Sequence, residues 1–222
     1  MDRKKITHKN KHIFLRLATT ADDLLLAKQV DDNAFGKHHG ITAEELRSIH
    51  SAGKILLLQL ESGEVIGETQ IILKPIEQMQ YHFDFPIAFC YGIAIDPKFQ
   101  GHGYGKILAI AQEELAIELG ISEIQMTIRV ENYPSIKLWI SVGYEIYNYV
   151  PNFYGQNVAK DARLFLRKNF SKNSQSRQHE IRATARVTFG DNYDPSAHMQ
   201  IAELINGGHL GVGVNREEIH FA

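Results

Sequence analysis

The chain has 222 residues, of which 44% are hydrophobic and 23% charged, the balance of a soluble globular domain with an appendage. Its formal net charge is −2, so no global field draws it to nucleic acid or to an anionic membrane. One cysteine, Cys90, excludes an intrachain disulfide and fits a reducing compartment. No stretch reads as a signal peptide or approaches the ~18 consecutive apolar residues of a membrane span, so the expected location is the cytoplasm.

The basic start (Arg3, Lys4, Lys5, Lys9, Lys11) reads as a solvated, frayed end. His12 to Leu17 reads as a first strand. Thr20 to Asp23 opens a helix that carries Leu24, Leu25, Leu26 and Val30. A polar break with His38 and His39 follows, and Thr42-Ala43-Glu44-Glu45 has the form of a capping box for a second, short helix. Lys54 to Leu60 and Val65 to Leu73 are apolar runs joined by a Gly-containing link, the pattern of a hairpin. Residues 74–86 are irregular. Ile87 to Ile95 reads as a strand ended by Asp96-Pro97. A glycine-rich loop leads into a strongly amphipathic helix from Tyr104 to Leu119, stopped at Gly120. Ser122 to Val130 reads as a strand, Asn132 to Val142 as a helix, and Tyr144 to Val150 with Ala162 to Lys168 as a closing pair of strands. This order predicts an α/β fold with a mixed, mostly antiparallel central sheet flanked by helices and a small C-terminal extension.

The informative stretch is Tyr91 to Lys106, in which an apolar strand turns through Gly101, Gly103 and Gly105 into a helix. Glycines there let main-chain N–H groups approach a ligand. The leading amides of the helix lack internal partners and carry the positive end of its dipole. Together they suit a diphosphate. The loop lacks the Gly-Lys-Ser/Thr ending of a Walker motif and the G-x-G-x-x-G spacing of a dinucleotide fold.

What it does match is Q/R-x-x-G-x-G/A, as Gln100-Gly101-His102-Gly103-Tyr104-Gly105, after the strand end Ile95-Asp96-Pro97. That string resembles the coenzyme A-binding motif of the GNAT acetyltransferase superfamily. A second likeness is Asn132-Tyr133-Pro134-Ser135-Ile136-Lys137-Leu138-Trp139-Ile140-Ser141-Val142-Gly143-Tyr144, similar to the family's N-x-x-A-x-x-L-Y-x-x-x-G-F. The resemblance covers residues 12–168. It implies a GNAT acyl-CoA N-acyltransferase domain over 1–170; beyond the resemblance, a shift to polar, unpatterned composition reads as a linker over 171–180, followed by an extension of unassigned role over 181–222.

By the same resemblance, acetyl-CoA is the cosubstrate; the histidines, among them His179, His198, His209 and His220, lack compact metal-ligand spacing, so no metal is expected. Ile93, Ala94 and Ile95 would offer main-chain groups to the pantetheine arm. Gln100, Gly101, His102, Gly103, Tyr104, Gly105 and Lys106 would hold the pyrophosphate, with Lys106 open between a phosphate contact and a solvated lysine. Asn132 would touch the cofactor arm or cap its helix.

The implied chemistry is direct attack of an amine on the thioester. An ordinary lysine amine has a pKa of about 10.4, so a base or a water chain must take its proton, and an acid can serve the departing thiolate. Two familiar groups are missing. Trp139 stands where the family often has an acid tyrosine, and Ile87 stands near the position of a glutamate base. The remaining candidates are Tyr154, Glu68 and Tyr91. Tyr154 lies in the loop Val150 to Gly155, similar to a substrate loop of peptide-directed members; packing of the loop is the alternative. Tyr91 would share a face with Ile93 and Ile95 by alternation, or simply be core. Glu68 is expected to face solvent on the hairpin, in preference to a base role. His82 and Asp84 could form a substrate wall. Cys90 reads as core, and no histidine set has metal-ligand spacing.

The function implied is N-acetylation of a primary amine, on a peptide N-terminus or a small molecule. The Asn152-Phe153-Tyr154 loop tilts toward peptide, and the missing acid and base tilt back. The competing reading is a coenzyme A-binding sensor or scaffold without turnover. Residues 181–189 alternate like a strand and 195–205 resemble a short helix. They would add a strand to the sheet edge or to a partner's sheet, as a small subdomain or a dimerisation arm; a disordered tail is the alternative.

Overall fold

The computed structural model describes residues 4–9, 11–74, 86–129, 132–150 and 163–170. Two compact units divide the chain after Ile121. The first unit runs β1 (Lys4–His8), β2 (Lys11–Leu17), α1 (Ala21–Phe35), α2 (Ala43–Ala52), β3 (Gly53–Leu60), β4 (Val65–Ile72), β5 (Ile87–Ile95), a 3-10 turn (Pro97–Phe99) and α3 (Tyr104–Glu118). The second holds β6 (Glu123–Arg129), α4 (Tyr133–Ser141), β7 (Glu145–Val150) and β8 (Arg163–Asn169).

In the first unit β1 to β5 pair antiparallel in chain order. Helix α1 packs on β4 and β5, α2 on β3 and β4, and α3 on β3, β4 and β5. The sheet is covered on both faces, which is why Ile55 to Leu58 and Ile66 to Ile72 are buried without interruption. Gly67 brings α3 close: a Cβ there would meet Ile95 Cδ1 at 2.6 Å and Leu108 Cδ1 at 3.0 Å. Capping boxes start both early helices, Thr20 with Asp23 and Thr42 with Glu45, the second as its sequence foretells.

In the second unit β8 pairs antiparallel with β6, from Glu123↔Asn169 to Arg129↔Arg163, and with β7, where the register shifts between Ile146 and Asn148. Trp139 packs edge-on against Tyr144, ring centroids 4.9 Å apart, at 1% exposure.

The α/β class and the helix-flanked, mostly antiparallel strand pairing are those expected. Three expectations are corrected. From Lys4 on, the basic start is not a frayed end: Lys4-Lys5-Ile6-Thr7-His8 is an edge strand in register with β2 from Lys4↔Leu15 to His8↔Lys11. Ile6 and Thr7 supply strand propensity, and the lysines are the charge that natural edge strands carry. Helix α3 is less amphipathic than its sequence suggests. Gln112 and Glu113 are buried while Ile110 and Ile117 are 41% and 55% exposed. Glu68 does not face solvent. It has no exposed surface, because helices cover both faces of the hairpin. Residues 171–222, with the proposed linker and extension, lie outside the described residues, as do Tyr154, His82 and Asp84.

Candidate active site

The glycine loop keeps the order the sequence predicts. Asp96 caps the 3-10 turn by accepting from the Lys98 N–H (3.0 Å) and is held from α1 by Asn33 Nδ2 (2.7 Å). The side chain of Gln100 does not reach out to a ligand: its Nε2 donates to the Ile95 carbonyl at 3.0 Å, tying the start of the loop to the end of β5. Gly101 (φ +75°) and Gly103 (φ +88°) take the left-handed conformation that favours glycine, and nothing lies within 4 Å of a Cβ placed on Gly101. Gly103 caps α3 with no side-chain bond of its own. Among the described residues, no acceptor takes the N–H groups of Gly101, His102, Gly103, Tyr104, Gly105 or Lys106. Six consecutive donors at the positive end of a 15-residue helix fit a diphosphate, with Lys106 exposed beside them.

Strand β5 leads into this loop through a bulge. Gln70 pairs with Gly92 but Ile71 pairs with Cys90, so Tyr91 is the extra residue. Thr69 Oγ1 donates to the Gly92 carbonyl (2.9 Å) and itself accepts from Gln112 Nε2 of α3 (2.9 Å), fixing the kink. The bulge breaks the alternation on which Tyr91 was expected to share a face with Ile93 and Ile95. Tyr91 instead turns to α2, where its hydroxyl donates to Glu45 Oε1 at 3.2 Å, while Ile95 packs toward α3. Beyond the bulge the Asp96 N–H bonds to the Ile66 carbonyl of β4. Amides alternate along a strand, so Ala94 also points its N–H at β4, and Ile93 and Ile95 point theirs away from it.

On the face opposite α3 lies a polar cluster that sequence reasoning largely missed. Glu68 stands across from Ala94 in the β4–β5 register. Both of its carboxylate oxygens accept from Gln70 Nε2 at 3.0 Å. Burial, and then the negative charge of Asp31 on α1, push the Glu68 carboxyl up to about 8. Asp31 is also raised by burial, to about 6, against the opposing hydrogen bond from the Ile41 N–H at 2.6 Å. Gln70 Oε1 is buried and takes no hydrogen bond; it lies 3.3 Å from where a Gly92 Cβ would sit. The available signal was the pair of polar residues Glu68 and Gln70 two apart in an otherwise apolar strand. Burial also pushes Cys90 up to about 12, so this thiol is no nucleophile.

In the second unit Asn132 caps α4, its Oδ1 accepting from the Ser135 N–H at 3.3 Å. Trp139 is core, so the usual acid position carries a packed indole. No group of three or more His, Cys, Asp or Glu among the described residues is placed to hold a metal.

A bulged strand running into an open-amide glycine loop and a helix defines a site class, one that holds a ligand's diphosphate on a helix end. The chain belongs to the acetyltransferase (GNAT) family, whose model matches residues 26–144, and its acyl donor is acetyl-CoA. The loop residues fit that donor. No curated protein matches. Solved structures do. The ribosomal-protein-S18-alanine N-acetyltransferase of Escherichia coli is 16% identical over 72% of this chain and 97% of its own, with a TM-score of 0.58. A putative phosphinothricin N-acetyltransferase is 21% identical over 72% and 99%, TM-score 0.58. A GNAT acetyltransferase of Elizabethkingia anophelis with acetyl-CoA bound is 19% identical over 71% and 97%, TM-score 0.52. At these identities the likeness is one of fold.

Proposed function

We propose that the protein moves an acetyl group from acetyl-CoA to a primary amine, and that Glu68 takes the amine's proton. The observation that carries this is a carboxylate with no exposed surface, opposite Ala94, which burial and the charge of Asp31 push up to about 8. A proton acceptor is most effective when its pKa lies near the working pH. An ordinary carboxylate would be a far weaker base, and an ordinary ammonium holds its proton to about pH 10.

Acetyl-CoA supplies the activated acyl carbon. The chain's own groups then divide the work. The amides of 101–106 hold the diphosphate end, and the outward N–H groups of Ile93 and Ile95 are the donors available to the acyl oxygen. Gln70 holds the Glu68 carboxylate in one orientation through Nε2. Tyr91 has its proton committed to Glu45, so it serves to shape the α2 side and not as an acid.

The acceptor is a peptide N-terminus or a small-molecule amine, the protein is cytoplasmic, and the C-terminal extension is the candidate dimer arm. The chain has one cysteine, so no intrachain disulfide can form, which fits a reducing compartment. A second reading has one observation in its favour: buried Trp139 leaves no proton donor at the usual acid position. On that reading the protein binds coenzyme A without turnover. Release of free thiol from acetyl-CoA, measured over a panel of peptides, polyamines and amino sugars, separates the two. Amine-dependent thiol release supports the transferase. Tight coenzyme A binding with no release from any amine sinks it.

A further inference from the structure

Strand β1 precedes the part of the chain that matches the family, yet it ends on the donor loop. The His8 ring lies beside the loop: its Nε2 is 2.8 Å from the carbonyl oxygen of His102. A carbonyl only accepts, so Nε2 carries the hydrogen and donates. The same ring lies 5.6 Å, centroid to centroid, from the buried ring of Tyr104, and 3.5 Å from where a Gly103 Cβ would sit. His102 does not compete for this bond, because its own Nδ1 is engaged with the Gln100 carbonyl at 2.8 Å. At the other end of β1, Lys4 pairs with Glu114 of α3.

In a trans peptide the carbonyl and the next N–H point in opposite directions, because the group is planar. Holding the His102 carbonyl toward β1 therefore turns the Gly103 N–H away from β1, among the open donors of the loop. Without that hold the 102–103 peptide is easily turned over, since Gly103 tolerates either sign of φ. The turned peptide would present a carbonyl oxygen to an anion and remove one donor.

We infer that His8 is a positioning residue of the donor site, acting through the 102–103 peptide to keep the Gly103 amide aimed at the diphosphate. This rests on the loop being the coenzyme A site. It adds a residue, and a strand, outside the stretch that carries the family's motif.

The test is titration calorimetry with coenzyme A on the full chain, with a melting curve and acetyl-CoA kinetics for each variant. His8→Phe keeps the ring against Tyr104 and loses the donor; His8→Gln keeps an N–H donor of similar reach. His8→Phe should bind about tenfold more weakly, the worth of one hydrogen bond, and His8→Gln within about twofold of the parent. KM for acetyl-CoA should rise in step in His8→Phe while kcat holds, and the two variants should melt together. Equal affinity of His8→Phe and the parent overturns the inference, and so does a loss in His8→Gln as large as in His8→Phe. Should His8→Phe not fold, His8→Asn, whose amide is too short for the carbonyl, is read in its place against the same two outcomes. A parent protein that gives no heat at all overturns the loop assignment itself, a failure distinct from that of His8.

Discussion

The donor loop and the Glu68 cluster lie on either side of the same strand, and they are built in opposite ways. The loop is local: seven consecutive residues, exposed or nearly so apart from Tyr104, with backbone donors left open by glycine geometry. The cluster is assembled from α1 and β4, is buried, and works through side chains whose charge is costly where it sits. A backbone site tolerates side-chain change but not a change of backbone. A buried carboxylate site tolerates neither a change of charge nor a loss of its neighbours. Each side can therefore be broken without the other.

The largest effect should come from the loop. Gly103→Val puts a branched side chain at φ +88°, a conformation only glycine takes freely. The loop must change path and the run of amides is lost. Coenzyme A affinity should fall by about a hundredfold or more, with melting lowered by no more than about 2 kcal/mol of stability. Unchanged calorimetry would break the assignment of the loop.

Next comes the opposite side. Glu68→Gln keeps the shape and removes the base, so amine-dependent turnover should fall roughly 100- to 10,000-fold while coenzyme A affinity stays put. The same variant has a stability signature with a definite sign. Below about pH 4.5 the parent's Glu68 is protonated folded and unfolded alike. Between there and about 8 the folded state keeps a proton that the unfolded state releases, so stability falls as pH rises, by up to roughly 1.4 kcal/mol per pH unit. The glutamine variant lacks that slope. Melting curves from pH 5 to 9 should diverge, the variant gaining on the parent. Parallel curves would show that Glu68 ionises as a solvent-exposed carboxylate does.

The two sides also differ in how far the sequence reveals them. Gln100 to Lys106 could be read because strand, turn and helix start are contiguous and glycine spacing is itself the geometry. Even so, the side chain of Gln100 proved to be a tether to Ile95. Glu68 could not be placed by alternation, since that argument assumes a hairpin with one wet face, and here helices cover both. Tyr91 was misplaced for a related reason: one extra residue at the bulge reverses the face of every later residue in the strand. His8 was hidden by its neighbours, because a run of lysines reads as a solvated end until β2 is seen to pair with it.

The smallest effect is the sharpest test of coupling within the cluster. Asp31→Asn keeps an oxygen to accept from the Ile41 N–H, so the turn before α2 should hold and melting should change little. What it removes is a negative charge that helps push Glu68 up. With that repulsion gone, the glutamate should lose its proton more readily, and the rising limb of turnover against pH should move to lower pH by about half a unit. Below the inflection the variant should then outpace the parent, the reverse of what a damaged active site would show. A limb that stays in place would mean that the two carboxylates do not sense each other, and that burial alone sets the affinity of Glu68 for its proton.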